Sequence, residues 1–233
     1  MKTVIMQPYL FPYLGYWQMI TNADVFVLFD DVNFINRGWI NRNNILLNGK
    51  AFMFTLPLVG ASQNKLINEI EVTSDEKEVK KILRTMEQAY RKSPYFAEAF
   101  PLLEGILGYE NKNLKDFLYN QFKVIFDYLE ISNTKLLLSS EIQKDNSLKA
   151  QEKIIDICKR LGTTHYINAI GGQELYDKER FDKEGMKLNF IKMIAKPYPQ
   201  FKNEFVPYLS IIDVLMFNDK ATVKEMLKDF ELV

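Results

Sequence analysis

The stretch I-M-Q-P-Y-L-F-P-Y-L-G-Y-W-Q-M-I-T-N-A-D-V-F-V-L-F-D-D-V-N-F-I-N-R-G-W-I-N-R, residues 5–42, decides how this chain is read. An apolar run over residues 2–6 predicts a strand that exits into Gln7-Pro8, and Pro12 and Gly15 punctuate the way into a short helix over 13–22. A second apolar run, 25–29, ends on Asp30-Asp31, with Arg37, Trp39, Asn41 and Arg42 close behind. Strand packing alone rarely asks for that mixture. Both strand exits are expected at one sheet edge, which in open α/β sheets is where ligands bind.

Working outward, residues 43–56 predict a small hairpin turning at Asn48-Gly49, and 67–72 alternate like a further strand. Residues 75–130 predict a helical block: acids open its first helix near Asp75, Ser93-Pro94 opens the second, and Asn113 caps the third. Beyond it, strands over 134–138, 164–168 and 188–193 alternate with a helix over 147–161 closed by Gly162, and Ser210 opens a terminal helical region. The expectation is a single α/β domain, 1–233, Rossmann-like, with a mostly parallel sheet, a helical insertion and the hairpin.

Composition narrows the function. Lys+Arg and Asp+Glu are 30 each, so no basic field points to nucleic acid. The apolar runs fall far short of a membrane span and no signal peptide opens the chain, which reads as cytoplasmic. One cysteine, Cys158, cannot build a disulfide framework; it shares a helix face with Ile154 and Ile155 and reads as a buried hydrophobe. The single histidine, His165, reads as a strand residue rather than a base, and no acid, His or Cys cluster has the spacing of a metal site. No G-x-G-x-x-G, Walker or G-x-S-x-G motif is present, and the sequence leaves any cofactor open.

The candidate site follows from the strand exits. Asp30 and Asp31 repel unless cations or hydrogen bonds compensate, and Arg37 or Arg42 is expected to pair with one of them. The two arginines suit phosphate, Trp39 and Tyr9 offer stacking faces, and Gln7 and Asn41 suit polar substrate groups. Pro12, Gly15 and Tyr16 shape the first turn, where helix amides could meet an anion or the glycine could serve packing. Ser139-Ser140 and Asn168 with Gly171-Gly172 follow later strands. Gln7, Asp30, Asp31, Ser139, Ser140 and Asn168 are therefore expected to line one cleft. A nucleotide or sugar-phosphate substrate fits this set.

The blocks I-M-Q-P-Y-L-F-P-Y-L-G-Y at 5–16, A-D-V-F-V-L-F-D-D-V-N-F at 23–34, R-G-W-I-N-R at 37–42, L-S-S at 138–140, Y-I-N-A-I-G-G at 166–172 and Y-P-Q-F-K-N-E-F-V-P-Y-L-S-I-I-D at 198–213 resemble the WbqC-like proteins of bacteria over nearly the whole chain. That resemblance implies a role in surface-polysaccharide (O-antigen) biosynthesis, and acyl or glycyl transfer to a nucleotide-linked amino sugar. Asp30 or Asp31, with Gln7, would then orient or deprotonate the amine. A fainter similarity, strand then F-P-Y-L-G-Y then helix, is to nucleotidyltransferases of the HIGH superfamily, with Tyr13 and Tyr16 where the histidines belong. It implies nucleotidyl transfer with magnesium and pyrophosphate release. A non-catalytic nucleotide-sugar binding or scaffold protein is the third expectation.

Overall fold

The structure is a computed structural model that describes residues 1–233. The two opening apolar runs form β1 (Lys2–Met6) and β2 (Val25–Leu28), joined by α1 (Leu14–Thr21). Every residue of β2 is buried, as a strand covered on both faces requires. The hairpin pairs β3 (Arg42–Leu47) with β4 (Lys50–Thr55), and Asn48 and Gly49 take φ of 52° and 73°, the left-handed pair that a two-residue turn needs.

Two short strands follow, β5 (Leu58–Val59) and β6 (Glu71–Val72). The strand expected over 67–72 is largely absent. Ile67–Glu69 form a 3-10 turn in which Glu69 Oε2 accepts from Leu66 N at 2.8 Å. The buried residues there, Ile67 and Ile70, are three apart, the repeat of a 3-10 turn rather than of a pleat.

The helical block is α2 (Glu76–Tyr90), α3 (Phe96–Leu107) and α4 (Leu114–Leu129). Asp75 and Asn113 cap α2 and α4 by accepting from Lys77 N and Lys115 N. The remainder is β7 (Lys135–Leu138), α5 (Ala150–Leu161), β8 (His165–Ala169), α6 (Lys178–Asp182), β9 (Lys187–Met193), α7 (Ile211–Phe217), α8 (Lys220–Met226) and β10 (Phe230–Leu232).

The sheet runs β10-β9-β8-β1-β2-β7, and only the β9–β10 pair is antiparallel. Counted along the chain, the five parallel strands stand in the order 3-2-1-4-5, the Rossmann order. Residues that α1 and α4 bury, with Val4, Phe26 and Ile167, form the core of one face; Phe122 of α4 stacks on Tyr16 of α1 at 5.6 Å. Ile154, Ile155, Cys158 and Phe181 of α5 and α6 pack on Ile5, Val27, Tyr166 and Leu188 of the other. The chain reverses its winding at β1, so the crevice between the carboxyl ends of β1 and β8 is the topological switch point.

The terminal strand β10 was not expected. Gln18 of α1 holds the turn before it, donating to the carbonyls of Met226 at 2.8 Å and Asp229 at 2.9 Å. No helix is long and apolar enough to cross a membrane.

Candidate functional site

Gln7 leaves β1, Asp30-Asp31 leave β2, Ser139-Ser140 leave β7 and Asn168 stands near the end of β8, so all share the carboxyl edge of the parallel strands. They do not line a single cleft. Two cavities open along that edge, one over β1, β8 and β9, the other over β2 and β7.

The first cavity, of about 440 Å³, sits by the switch point and is walled by Tyr9, Pro12, Tyr13, Trp39, Ile170 and Tyr208, with Asn43, Lys192 and Met193 completing it. Its size and apolar walls are those of a small-molecule pocket. The loop after β1 forms one wall and is tightly clamped. Asn43 donates to the carbonyls of Leu10 and Phe11, both at 2.8 Å. Gln121 of α4 accepts from Phe11 N at 2.8 Å and donates to Tyr9 O at 3.0 Å, and Ser210 Oγ donates to Phe11 O at 2.8 Å. Phe11 is held at φ 42°, an uncomfortable conformation for a non-glycine residue that these three buried side chains over-determine.

Gly15 serves packing. A Cβ there would stand 2.5 Å from Tyr13 Cε2, so its absence lets the Tyr13 ring fold over the start of α1 and face the cavity. Burial, then the neighbouring phenol of Tyr208, pushes the Tyr13 hydroxyl above its ordinary value; burial, then Tyr13, does the same to Tyr9. Trp39 is 41% exposed and presents an open face. The loop that carries it is shaped by Arg42, whose Nε donates to Gly38 O at 2.9 Å and whose Nη2 donates to Arg37 O.

That use of Arg42 corrects the expected pairing: neither Arg37 nor Arg42 bridges to the acids. Asp31 instead meets Lys144 Nζ at 2.7 Å and Lys153 Nζ at 3.4 Å. Burial raises the Asp31 carboxyl, but the Lys144 bond, the nearby Ser139 hydroxyl and the charge of Lys153 outweigh it and hold the group below the ordinary carboxylate range. Asp31 Oδ1 and Ser139 Oγ are both buried without a well-aligned partner. Asp30 is fully buried; its Oδ1 accepts from Ser140 N at 2.9 Å, and Asn68 Nδ2 stands 3.4 Å from its Oδ2. The second cavity, of about 1120 Å³, is lined by Asp31, Ser140, Lys144, Lys149 and Lys153 among others.

The expected site residues thus separate. Tyr9, Pro12 and Trp39 come together in the first cavity, Asp31 and Ser140 in the second. Gln7 lies between, its carboxamide without a protein partner while its carbonyl accepts from Tyr16 Oη at 2.7 Å. Tyr16 is wholly core, and Asn41 spends its amide on Leu56 O at 2.9 Å. Asn168 is buried, donating to Tyr166 Oη at 2.7 Å, and Gly172 lets the next turn close over it; Gly171 faces open space. Cys158 is buried, which pushes its thiol up to about 12, and His165 bonds Asn189 at 2.8 Å at the opposite end of the sheet.

Unforeseen were Tyr208, Lys192 and Met193 in the first cavity and the lysines of the second. Lys192-Met193 end an expected strand and could have been read as edge residues. Lys149 and Lys153 carried a sharper signal: cations at the amino end of a helix oppose its dipole.

A Rossmann-ordered α/β sheet with an aromatic cavity at its switch point defines the class of protein. Within that class, the sequence profile of the WbqC-like protein family matches residues 7–225, and the chain belongs to this family. It is similar to the uncharacterised protein Rv1507c of Mycobacterium tuberculosis, 26% identical over 230 residues that cover 97% of each chain. No solved structure matches the chain.

Proposed function

We propose that this protein is a transferase of bacterial surface-polysaccharide biosynthesis that binds a nucleotide-linked amino sugar and accepts an acyl or aminoacyl group onto its amine. The observation that carries the ligand class is the aromatic cavity at the switch point. Tyr9, Tyr13, Trp39 and Tyr208 present flat, amphipathic faces to a sugar ring or base, and no carboxylate lines it. The pathway and the kind of reaction rest on what the resemblance to the WbqC-like proteins implies, and membership of that family is consistent with them.

In that reaction the amine nitrogen attacks the carbonyl carbon of a thioester or ester donor. The new C–N bond replaces the bond to sulfur or oxygen, and the leaving group takes the electron pair and a proton. The chain's part is positioning. The unpartnered Gln7 carboxamide fixes polar substrate groups at the switch point, and Asp31, ionised and tied to two lysines, orients rather than deprotonates.

A non-catalytic binding protein is the second reading, favoured by one observation. Besides Lys192, the titratable groups of the aromatic cavity are the phenols of Tyr9, Tyr13 and Tyr208, so it offers no ready general base. HIGH-type nucleotidyl transfer draws less support, because Tyr16, at one of the two histidine positions, is buried in the core.

Calorimetric titration with a panel of nucleotide-linked amino sugars tests the proposal, followed by mass spectrometry with acyl donors. A member of the panel is expected to bind. Trp39→Ala and Tyr208→Ala should each weaken it by about 1–3 kcal/mol, the usual worth of a stacked ring. Binding by no member of the panel refutes the ligand class, and binding without any mass gain leaves the second reading.

A further inference from the structure

The cavity over β2 and β7 has a composition unlike its aromatic neighbour. Its floor is the loop after β7, and one wall is the first turn of α5. Lys149 sits at the N-cap of α5 without a side-chain cap, and Lys153 lies in the first turn. The amino end of a helix carries roughly half a positive charge, so both lysines oppose it and would gain from an anion, the largely buried Lys153 more than the exposed, water-screened Lys149.

The protein's own acids answer only part of that charge. Glu152, the acid of the first turn, is paired with Arg180 at 2.7 Å. Asp31 is shared: it holds Lys144 at 2.7 Å and reaches Lys153 only at 3.4 Å. Lys144 is 2% exposed and saturated, since it also donates to the carbonyls of Ser139 and Ile142. Lys149, Ser140 and Glu141 line the cavity as exposed residues, none of them with a side-chain bond or ion pair to the protein. The arginines expected to hold phosphate are not in this cavity.

We propose that this cavity is an anion subsite that takes a phosphate or diphosphate group on Lys149, Lys153, the Ser140 hydroxyl and the free amides of α5. Asp31 acts as a positioning residue that aims Lys153 across the cavity from β2. On the nucleotide-sugar reading above, on which the identity of the ligand rests, the diphosphate lies over β2 and β7 and the nucleoside over β1 and β8. The anion site itself does not depend on that reading.

Titration of the whole protein with inorganic pyrophosphate, with a nucleotide-linked amino sugar and with the matching phosphate-free nucleoside tests both layers. Pyrophosphate should bind the wild type, and Lys149→Ala should weaken it about tenfold, in the range for a charged hydrogen bond. Lys149 makes no ion pair, so its removal leaves the fold intact, and a thermal melt checks that. Lys153→Ala should act similarly and Lys153→Arg should restore binding. Affinity should fall with added salt in the wild type and less steeply in Lys149→Ala. The nucleoside should bind independently of both lysines.

No pyrophosphate binding, or binding unchanged in the double Lys149→Ala, Lys153→Ala variant, overturns the anion site. Lysine-dependent pyrophosphate binding with no nucleotide-sugar binding upholds the site and overturns the ligand reading. Nucleotide-sugar binding indifferent to both lysines upholds the ligand reading and overturns the placement of its diphosphate in this cavity.

Discussion

Replacing Asp213 with alanine removes the acceptor for three donors at once: Tyr90 Oη at 2.8 Å, Tyr198 Oη at 2.6 Å and Gln200 Nε2 at 2.7 Å. Asp213 and Tyr90 are fully buried and Gln200 is 1% exposed, so water cannot readily replace the lost bonds. A buried donor left unpaired costs about 1–3 kcal/mol. Against that, burial pushes the Asp213 carboxyl above its ordinary value despite its three bonds, so removing the carboxylate relieves a desolvation cost. Letting that relief cancel one donor leaves a net loss of about 3 kcal/mol. For a chain of this size, that corresponds to roughly 6–12 °C in Tm.

The damage should reach the aromatic cavity. Tyr198 and Gln200 belong to the irregular segment after β9, which carries Tyr208 into the cavity wall. Asp213→Asn, which keeps one acceptor and sets an amide against that of Gln200, should lose less. The pH dependence has a definite sign. A carboxyl whose folded value is raised contributes proton-linked stability that is full below about pH 3.9 and is lost as pH rises through the raised value. Urea melts across pH measure both effects. A loss under about 1 kcal/mol in Asp213→Ala, with an unchanged pH profile, would refute the reasoning.

Gly15→Ala should separate stability from binding: the helix-propensity gain, below the roughly 1 kcal/mol of a helix interior because Gly15 lies in the first turn, is offset by its Cβ, which 2.5 Å from Tyr13 Cε2 swings the ring tip out of the cavity wall. Melting should hardly change and affinity for the cavity ligand should fall; unchanged affinity would show that Tyr13 does not matter there. Asp31 has the opposite pH sign to Asp213, because its folded carboxyl is lowered: its contribution is present above about pH 3.9 and lost as pH falls through the lowered value. Asp31→Asn should therefore flatten the acid limb of stability measured by urea melts, and an identical acid limb would mean the lysine pairs contribute nothing.

The features legible in the sequence were those governed by local chemistry. Asp75, Asn113 and Ser210 cap helices, Gly162 closes α5 at φ 72°, and Asn48-Gly49 turns the hairpin. Each is a short-range preference that tertiary structure had no reason to override. What the sequence hides is long-range. Ile67, Ile70 and Val72 look like a strand until Leu66 and Asn33 bridge and Glu69 reaches back to Leu66, which favours a tight turn. Arg42 lies near Asp31 in sequence, yet the loop carbonyls of Gly38 and Arg37 claim it first. Lys144 and Lys153 reach Asp31 from more than a hundred residues away, and nothing local announces that meeting.

The adjacent acids show how one strand exit can serve two ends. Successive residues leaving an extended strand point to opposite sides. Asp30 turns inward and accepts the amide of Ser140, tying the exit of β2 to that of its neighbour β7. Asp31 turns to the lysines of the second cavity. Two adjacent carboxylates repel when they share surroundings; separate partners keep these two apart. The edge that results is asymmetric: flat uncharged rings stand over β1, β8 and β9, and fixed charges over β2 and β7. A ligand that is flat at one end and anionic at the other complements both halves at once. A wholly apolar ligand would leave the lysines uncompensated, and a simple anion would leave the rings unused.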